Sequence, residues 1–259
     1  MVEKVQARKP LSAGVSEVLR ARFQDHSYPV HTHNTWTLMV VEDGAVAYEL
    51  DRREELIPRS TLTLLPPHIP HTGRSAVPGE PYTKTVLYLD EDWLPEAVAG
   101  VAVDQPLLPG PAAVAAFRAL YSALDEPLVG AEMAALRDLA LAHLQPGSPR
   151  LHQSDDPLAR RFRELLDALL PETISLEAAA ELLNTHPSHL ARTFSRAFGI
   201  SPHRYVTGRQ LERARELLLR GHPAVEVARE TGFFDQAHLT RHFRRYLGTT
   251  PAAFARGAA

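Results

Sequence analysis

AVEVARETGFFDQAHLTRHFRRYLGTTPAAFAR, residues 224–256, is the stretch whose reading decides the fold of this chain. Val225, Val227 and Ala228 mark one face of a short helix, and Thr231-Gly232 breaks it where a tight turn between crossing helices calls for glycine. Asp235 is placed to cap a second helix by accepting from its first free N–H groups. Leu239, Phe243 and Leu247 recur every four residues and face a core. Gln236, Ala237, Thr240, Arg241 and Arg244 are left on outer faces, where they can enter a major groove.

The same unit occurs upstream. SLEAAAELLNTHPSHLARTFSRAFGISPHRYV, residues 175–206, carries Leu190 and Phe194 where the later copy has Leu239 and Phe243. Arg192 corresponds to Arg241, Gly199 to Gly248, and Ser201-Pro202 to Thr250-Pro251. Between the copies, GRQLERARELLLRG (208–221) places Leu211, Ala214, Leu217 and Leu218 at helical spacing, as a connecting helix would.

Two helix-turn-helix units joined by one helix, closed by Gly232, Phe233, Arg241, Phe243, Gly248, Thr250 and Pro251, resemble the AraC/XylS family of bacterial transcription regulators. The likeness covers roughly the last 100 residues. Three positions depart from the family pattern: Asn184 stands for the glycine of the first turn, His186 for a serine cap, and Phe234 for a small or polar residue. Asparagine enters the left-handed region more easily than most residues, so the first of these leaves the turn intact.

Charge divides the chain in the same place. From Pro157 onward there are 15 Arg, no Lys and 10 acidic residues, against an overall net charge of −3. A basic C-terminal module suits phosphates and an acidic N-terminal one does not. The expected division is 1–150 and 157–259, with a linker from Gln145 to about Asp156. Zero cysteines exclude a disulfide framework and thiolate metal sites. MVEKVQARKPLSAG lacks the apolar core of a secretory signal, and no run reaches the roughly 18 apolar residues of a membrane span. The chain therefore reads as cytoplasmic, with no membrane partner.

The first 110 residues show short β-type runs at 35–41, 45–50, 61–65 and 82–89, divided by Glu42-Asp43-Gly44 and proline-rich turns, which predicts an antiparallel barrel or jelly roll. Apolar stripes then predict helices over 112–124 and 130–144, for packing on their own domain or for a homodimer contact. VHTHNTWTLMVVEDG (30–44) and STLTLLPPHIPH (60–71) resemble the two histidine-bearing segments of cupins, the sensor barrel often fused to AraC-type modules. The expected fold class is thus an all-β barrel followed by helices, then an all-α domain with two helix-turn-helix motifs.

His31 and His33 are two apart and share a face of a strand, and His71 joins them from the later segment. Three imidazoles suit a divalent transition metal and leave positions open for a ligand. The glutamate usual in metal-binding cupins is missing, with Thr37 or a neighbour in its place, while His68 is a substitute or a mouth residue. The bland alternative is three hydrogen-bonding structural histidines. Arg22, Trp36 and Tyr48 complete the expected effector pocket, against the alternatives of a surface ion pair for Arg22 and core packing for the aromatics.

In the basic half, Ser188, Ala191, Arg192, Gln236, Ala237, Thr240 and Arg241 are expected to meet bases, and Arg196, Arg244 and Arg245 phosphates. The resemblance implies a small-molecule effector, double-stranded DNA and no catalysis, and it favours activation through RNA polymerase, with repression the open alternative. The rival reading is a metal-dependent cupin enzyme, such as a dioxygenase or isomerase, carrying a DNA-binding appendage.

Overall fold

The computed structural model describes residues 3–126, 129–145 and 156–257, so the expected linker falls almost entirely outside the described residues. The N-terminal part is two antiparallel sheets. In chain order its strands are β1 (Lys4–Arg8), β2 (Val15–Phe23), β3 (Tyr28–His31), β4 (Trp36–Asp43), β5 (Val46–Leu50), β6 (Arg53–Ile57), β7 (Leu62–Leu65), β8 (His71–Ser75), β9 (Tyr82–Leu89) and β10 (Leu107–Leu108). One sheet has the order β1-β2-β9-β4-β7-β10 and the other β3-β8-β5-β6. The four runs predicted from alternation are β4, β5, β7 and β9.

Side-chain alternation gives the larger sheet two apolar faces. On β4, Met39 and Val41 point into the barrel, whereas Trp36, Leu38 and Val40 point out. The outer face is covered by α1 (Ala99–Asp104), α2 (Pro111–Ala123) and α3 (Gly130–His143), through Phe117, Leu120, Leu136 and Ala140. The two helices expected from the apolar stripes are therefore present, and their buried stripes pack on their own sheet.

The C-terminal part is helical: α4 (Pro157–Leu169), α5 (Leu176–Leu182), α6 (Pro187–Phe198), α7 (Pro202–Leu219), α8 (Ala224–Glu230), α9 (Gln236–Leu247) and α10 (Pro251–Arg256). Starts follow from local chemistry. His186, Ser201, Asp235 and Thr250 each accept a backbone N–H of the first turn, and Pro187, Pro202 and Pro251 occupy first helical positions where no N–H is needed. The two turns pivot on left-handed residues, Asn184 at φ 51° and Gly232 at φ 79°. The second turn holds one residue more between its pivot and its cap, and this leaves Phe234 92% exposed.

The first helix-turn-helix buries its own core of Phe162, Leu166, Leu190, Phe194 and Tyr205. The second does not. Leu239, Phe243, Tyr246 and Leu247 of α9 belong to one continuous apolar cluster with Phe23, Tyr28, Val86 and Tyr88 of the barrel. The expected division at 1–150 and 157–259 suggests two separately cored domains; instead the second helix-turn-helix shares the core of the barrel. The left-handed glycine ending α9 is part of this seam, because a Cβ on Gly248 would stand 2.7 Å from the Phe23 ring.

Gly232 is just as confined. A Cβ there would lie 2.3 Å from the Pro171 carbonyl oxygen and 2.6 Å from Gln210 Nε2, which itself donates to that carbonyl. Gly232→Ala is expected to cost about 3 kcal/mol or more, from the left-handed backbone and the collision together. Thermal melts test this, and an unchanged melting temperature contradicts it.

Candidate effector chamber and nucleic-acid interface

The barrel interior is polar at one end. His31 closes β3, His71 opens β8, and the two pair across the sheet. His33 lies beyond the end of β3 rather than on it, so its ring reaches the others through the turn over 32–35 and not by strand alternation. The ring centroids stand 4.4 to 5.2 Å apart, and one ligand atom from each residue lies within 4.8 Å of the others.

Each imidazole has Nδ1 turned to an acceptor. His31 Nδ1–H donates to the Pro29 carbonyl at 2.8 Å and His71 Nδ1–H to that of Ile69 at 3.0 Å. His33 Nδ1 faces Glu212 of α7 at 3.4 Å, off hydrogen-bond geometry but close enough for electrostatic attraction. Burial holds all three rings well toward the neutral form. Neutral rings oriented through Nδ1, with Nε2 left over, are the form and the outer support that metal-ligating histidines require. The donor set therefore fits a borderline divalent ion.

The surroundings are less accommodating to a bare cation. The chamber, about 30 Å³, is also lined by Tyr28, Thr37, Tyr48, Lys84 and Tyr88, and by no carboxylate. Lys84 Nζ sits 4.1 Å over the Tyr28 ring, and burial pushes its ammonium down to about 7. A dication here needs an anion beside it.

Arg22 and Trp36 are not chamber residues. Along β2, Leu19, Ala21 and Phe23 face inward, which turns Arg22 to the opposite face. Trp36 lies on the helix-covered face, T-stacked on Trp93 at 6.4 Å, with its indole N–H donating to the Glu91 carbonyl. Parity places both, and the sequence alone does not say which parity faces in. Lys84 and Tyr88 are not among the residues expected from the sequence, although a lysine amid Tyr82, Val86 and Tyr88 on one strand face was a readable signal; Thr37, expected where metal-binding cupins place a glutamate, does line the chamber.

Helix α7 joins the chamber to the two helix-turn-helix units. Arg215 Nη2 and Nε donate to the two carboxylate oxygens of Glu17 on β2, at 2.7 and 3.0 Å, and both residues are buried. Burial pushes the Glu17 carboxyl up while Arg215 pulls it down; the bidentate geometry is that of an ionised pair. The Arg215 guanidinium also lies 4.5 Å over the Tyr88 ring. One turn earlier, Glu212 accepts from the Asn34 backbone N–H at 3.0 Å and from Arg209 at 2.7 Å. Beside this contact lies a cleft of about 760 Å³, sharing His33 and Tyr88 with the chamber wall.

On the far side of the helix-turn-helix units the surface is open. Gln236, Ala237, Thr240, Arg241 and Arg244 of α9 line one shallow groove of about 710 Å³. Thr240 bonds back to the Gln236 carbonyl at 2.8 Å. Ser188, Arg192 and Arg196 are exposed on α6, and Ala191 is half-buried. Among the described residues none of Arg192, Arg196, Arg241, Arg244 and Arg245 has a carboxylate within 4.0 Å, so their charge is free for phosphate or base edges. No described helix is long and apolar enough to cross a membrane.

Comparison with known proteins matches both halves. An AraC-like ligand binding domain covers residues 13–141 and a helix-turn-helix domain residues 179–257. The transcriptional regulator GbdR of Pseudomonas aeruginosa is 32% identical over 99 residues, 38% of this chain and 27% of that protein. The arabinose operon regulatory protein of Escherichia coli is 28% identical over 127 residues, 47% of this chain and 42% of that protein. These alignments span well under half of either relative. The crystal structure of ToxT from Vibrio cholerae superposes with a TM-score of 0.61 at 11% identity, covering 99% of this chain and 97% of that one, which is a likeness of fold.

His26 ties stability to pH. Its ring contacts Phe23 and Tyr28, and burial, then Lys84, push it down to about 4 from its ordinary 6.5. Between those values the unfolded chain binds the extra proton, so stability that is full above pH 6.5 is lost as pH falls toward 4. Melting temperature is expected to drop from pH 7.5 to 5, and to drop less in His26→Gln. An identical slope in the variant removes His26 as a cause.

Proposed function

The chain belongs to the AraC/XylS family of regulators with an N-terminal ligand-binding domain, and from that premise we propose that it is an effector-responsive, sequence-specific DNA-binding regulator. In this reading α6 and α9 enter successive major-groove segments about one helical turn, roughly 34 Å, apart. The observation that carries it is the outer surface of α9, where Gln236, Ala237, Thr240 and Arg241 stand together with unpaired arginines on both recognition helices. Arg192 and Arg241 read guanine edges bidentately, Gln236 reads adenine, and the alanines touch thymine methyls. Arg196, Arg244 and Arg245 hold phosphates without reading sequence.

The barrel supplies the response. An occupant of the chamber acts on DNA binding only by favouring one arrangement of barrel and α7 over another. His33 and Glu212 lie where such a preference would be transmitted. For the three histidines we propose a divalent transition metal held through Nε2, as an ion that would organise the chamber around a ligand. The small volume favours sensing over turnover of an organic substrate. Self-association through α2 and α3 belongs to the same proposal, supported by the exposed Ala131, Ala134, Ala135 and Leu139; activation through RNA polymerase and a place in the cytoplasm rest on the family.

Selection of fragmented genomic DNA with the full chain at physiological salt tests the function. The expected result is a motif of two short elements a helical turn apart, and retention without any motif overturns sequence-specific reading. Arg241→Ala is expected to lose about 1–3 kcal/mol of discrimination at one base position; unchanged preference excludes Arg241 from base contact. Elemental analysis of untagged protein should find about one metal per chain, absent in His31→Ala, and a metal-free protein that still responds in cells rejects the metal.

A further inference from the structure

Lys84 is one of only three lysines in a chain that otherwise uses arginine, and it is the one placed inside the barrel. Among the described residues no carboxylate lies within 4.0 Å of it, and its partner is the Tyr28 ring. Lys84 is half-buried, and an ammonium drawn from water without a counter-ion either gives up its proton or is stabilised by an opposite charge that visits it. Two buried hydroxyls of the same chamber, Thr37 Oγ1 and Tyr48 OH, at 4% and 3% exposure, have no hydrogen-bond partner. The rest of the polar lining is Tyr28, Thr72, Tyr88 and three neutral imidazoles, so the wall offers hydroxyl donors and one ammonium with no acid.

We propose that the barrel chamber is an anion site, with Lys84 as its counter-ion, that takes a carboxylate or an equally small oxyanion. The inference rests on the reading of the barrel as the sensing part of a regulator and names the chemistry it senses. A volume of about 30 Å³ is small, and it suits a formate or acetate headgroup better than a sugar or a nucleotide. A planar carboxylate accepts from an ammonium and from hydroxyls at once, satisfying groups that the folded chain leaves open. The anion would stand beside His33, whose other face meets Glu212, so its charge is felt by α7.

The small number of lysines makes the test direct. Full-length protein labelled with carbon-13 at the lysine ε position gives three signals, and Lys84→Met identifies the one of interest. Formate, acetate and bicarbonate are titrated at constant ionic strength near pH 8 against chloride, with as-purified protein and with protein stripped by a chelator. The Lys84 signal is expected to move to its charged position with a saturating dependence in both preparations, and chloride should not reproduce it. Lys84→Met is expected to weaken binding, read by calorimetry, about tenfold or more, as loss of a charge-assisted contact does.

Absence of saturable binding of all three anions, read by calorimetry, overturns the site. Binding that appears only in metal-loaded protein and survives Lys84→Met also overturns it, since the anion is then a ligand of the metal alone. The two readings fail separately. Saturable binding with no effect on affinity for a selected DNA motif leaves the anion site and removes the barrel from regulation; a selected motif with no anion binding leaves the regulator and removes the site.

Discussion

The Glu17–Arg215 pair is the contact on which the arrangement of this molecule depends. It is buried, bidentate, and joins residues 198 apart in the chain, one on a barrel strand and one on the helix between the two readers. Such a pair adds little net stability, because the desolvation of both charges offsets their attraction. Its effect lies in what its absence would cost: either charge left alone in that seam is penalised by about 3–5 kcal/mol, so α7 is held in one register on the barrel. The aromatic face of Tyr88 under the guanidinium fixes the pair to the chamber wall as well.

From that anchor the remaining contacts follow. With Arg215 seated, Glu212 one turn earlier reaches the Asn34 amide and faces His33. Beyond the helix, Leu239, Phe243 and Leu247 complete a core that the second helix-turn-helix does not close by itself. The first unit keeps its own core and meets the barrel at its edge, where Arg52 donates to the Arg196 carbonyl at the end of α6. The two helix-turn-helix units are thus held unequally, one continuous with the barrel and one carried beside it. The α9 helix shares packing with the barrel, whereas α6 meets it through α7, this edge contact, Val30 against the first unit's core and Pro70 beside Gly199.

Much of this was legible in the sequence where the determinants are local. Caps, turn pivots and four-residue apolar spacing define α6 and α9, and the repeat of Leu190–Phe194 as Leu239–Phe243 defines the architecture. The strands with clean alternation were legible too. The determinants that join distant segments were not. Glu17 and Arg215 look like ordinary surface charges until the sheet and helix are brought together, and the inward parity of β2 and β4, which excludes Arg22 and Trp36 from the chamber, is set by the covering helices. His33 belongs with His31 despite lying beyond the strand, because the turn restores what alternation would have given.

Hydrogen exchange across the full chain, compared between the native protein and Glu17→Gln, tests this account most directly. The amides of α7 and of the last turn of α9 are expected to exchange faster in the variant, while β4, β9 and the core of the first helix-turn-helix keep their protection. Unaltered protection of α7 would contradict the account, since the register of α7 on the barrel would then be set by something other than the buried pair.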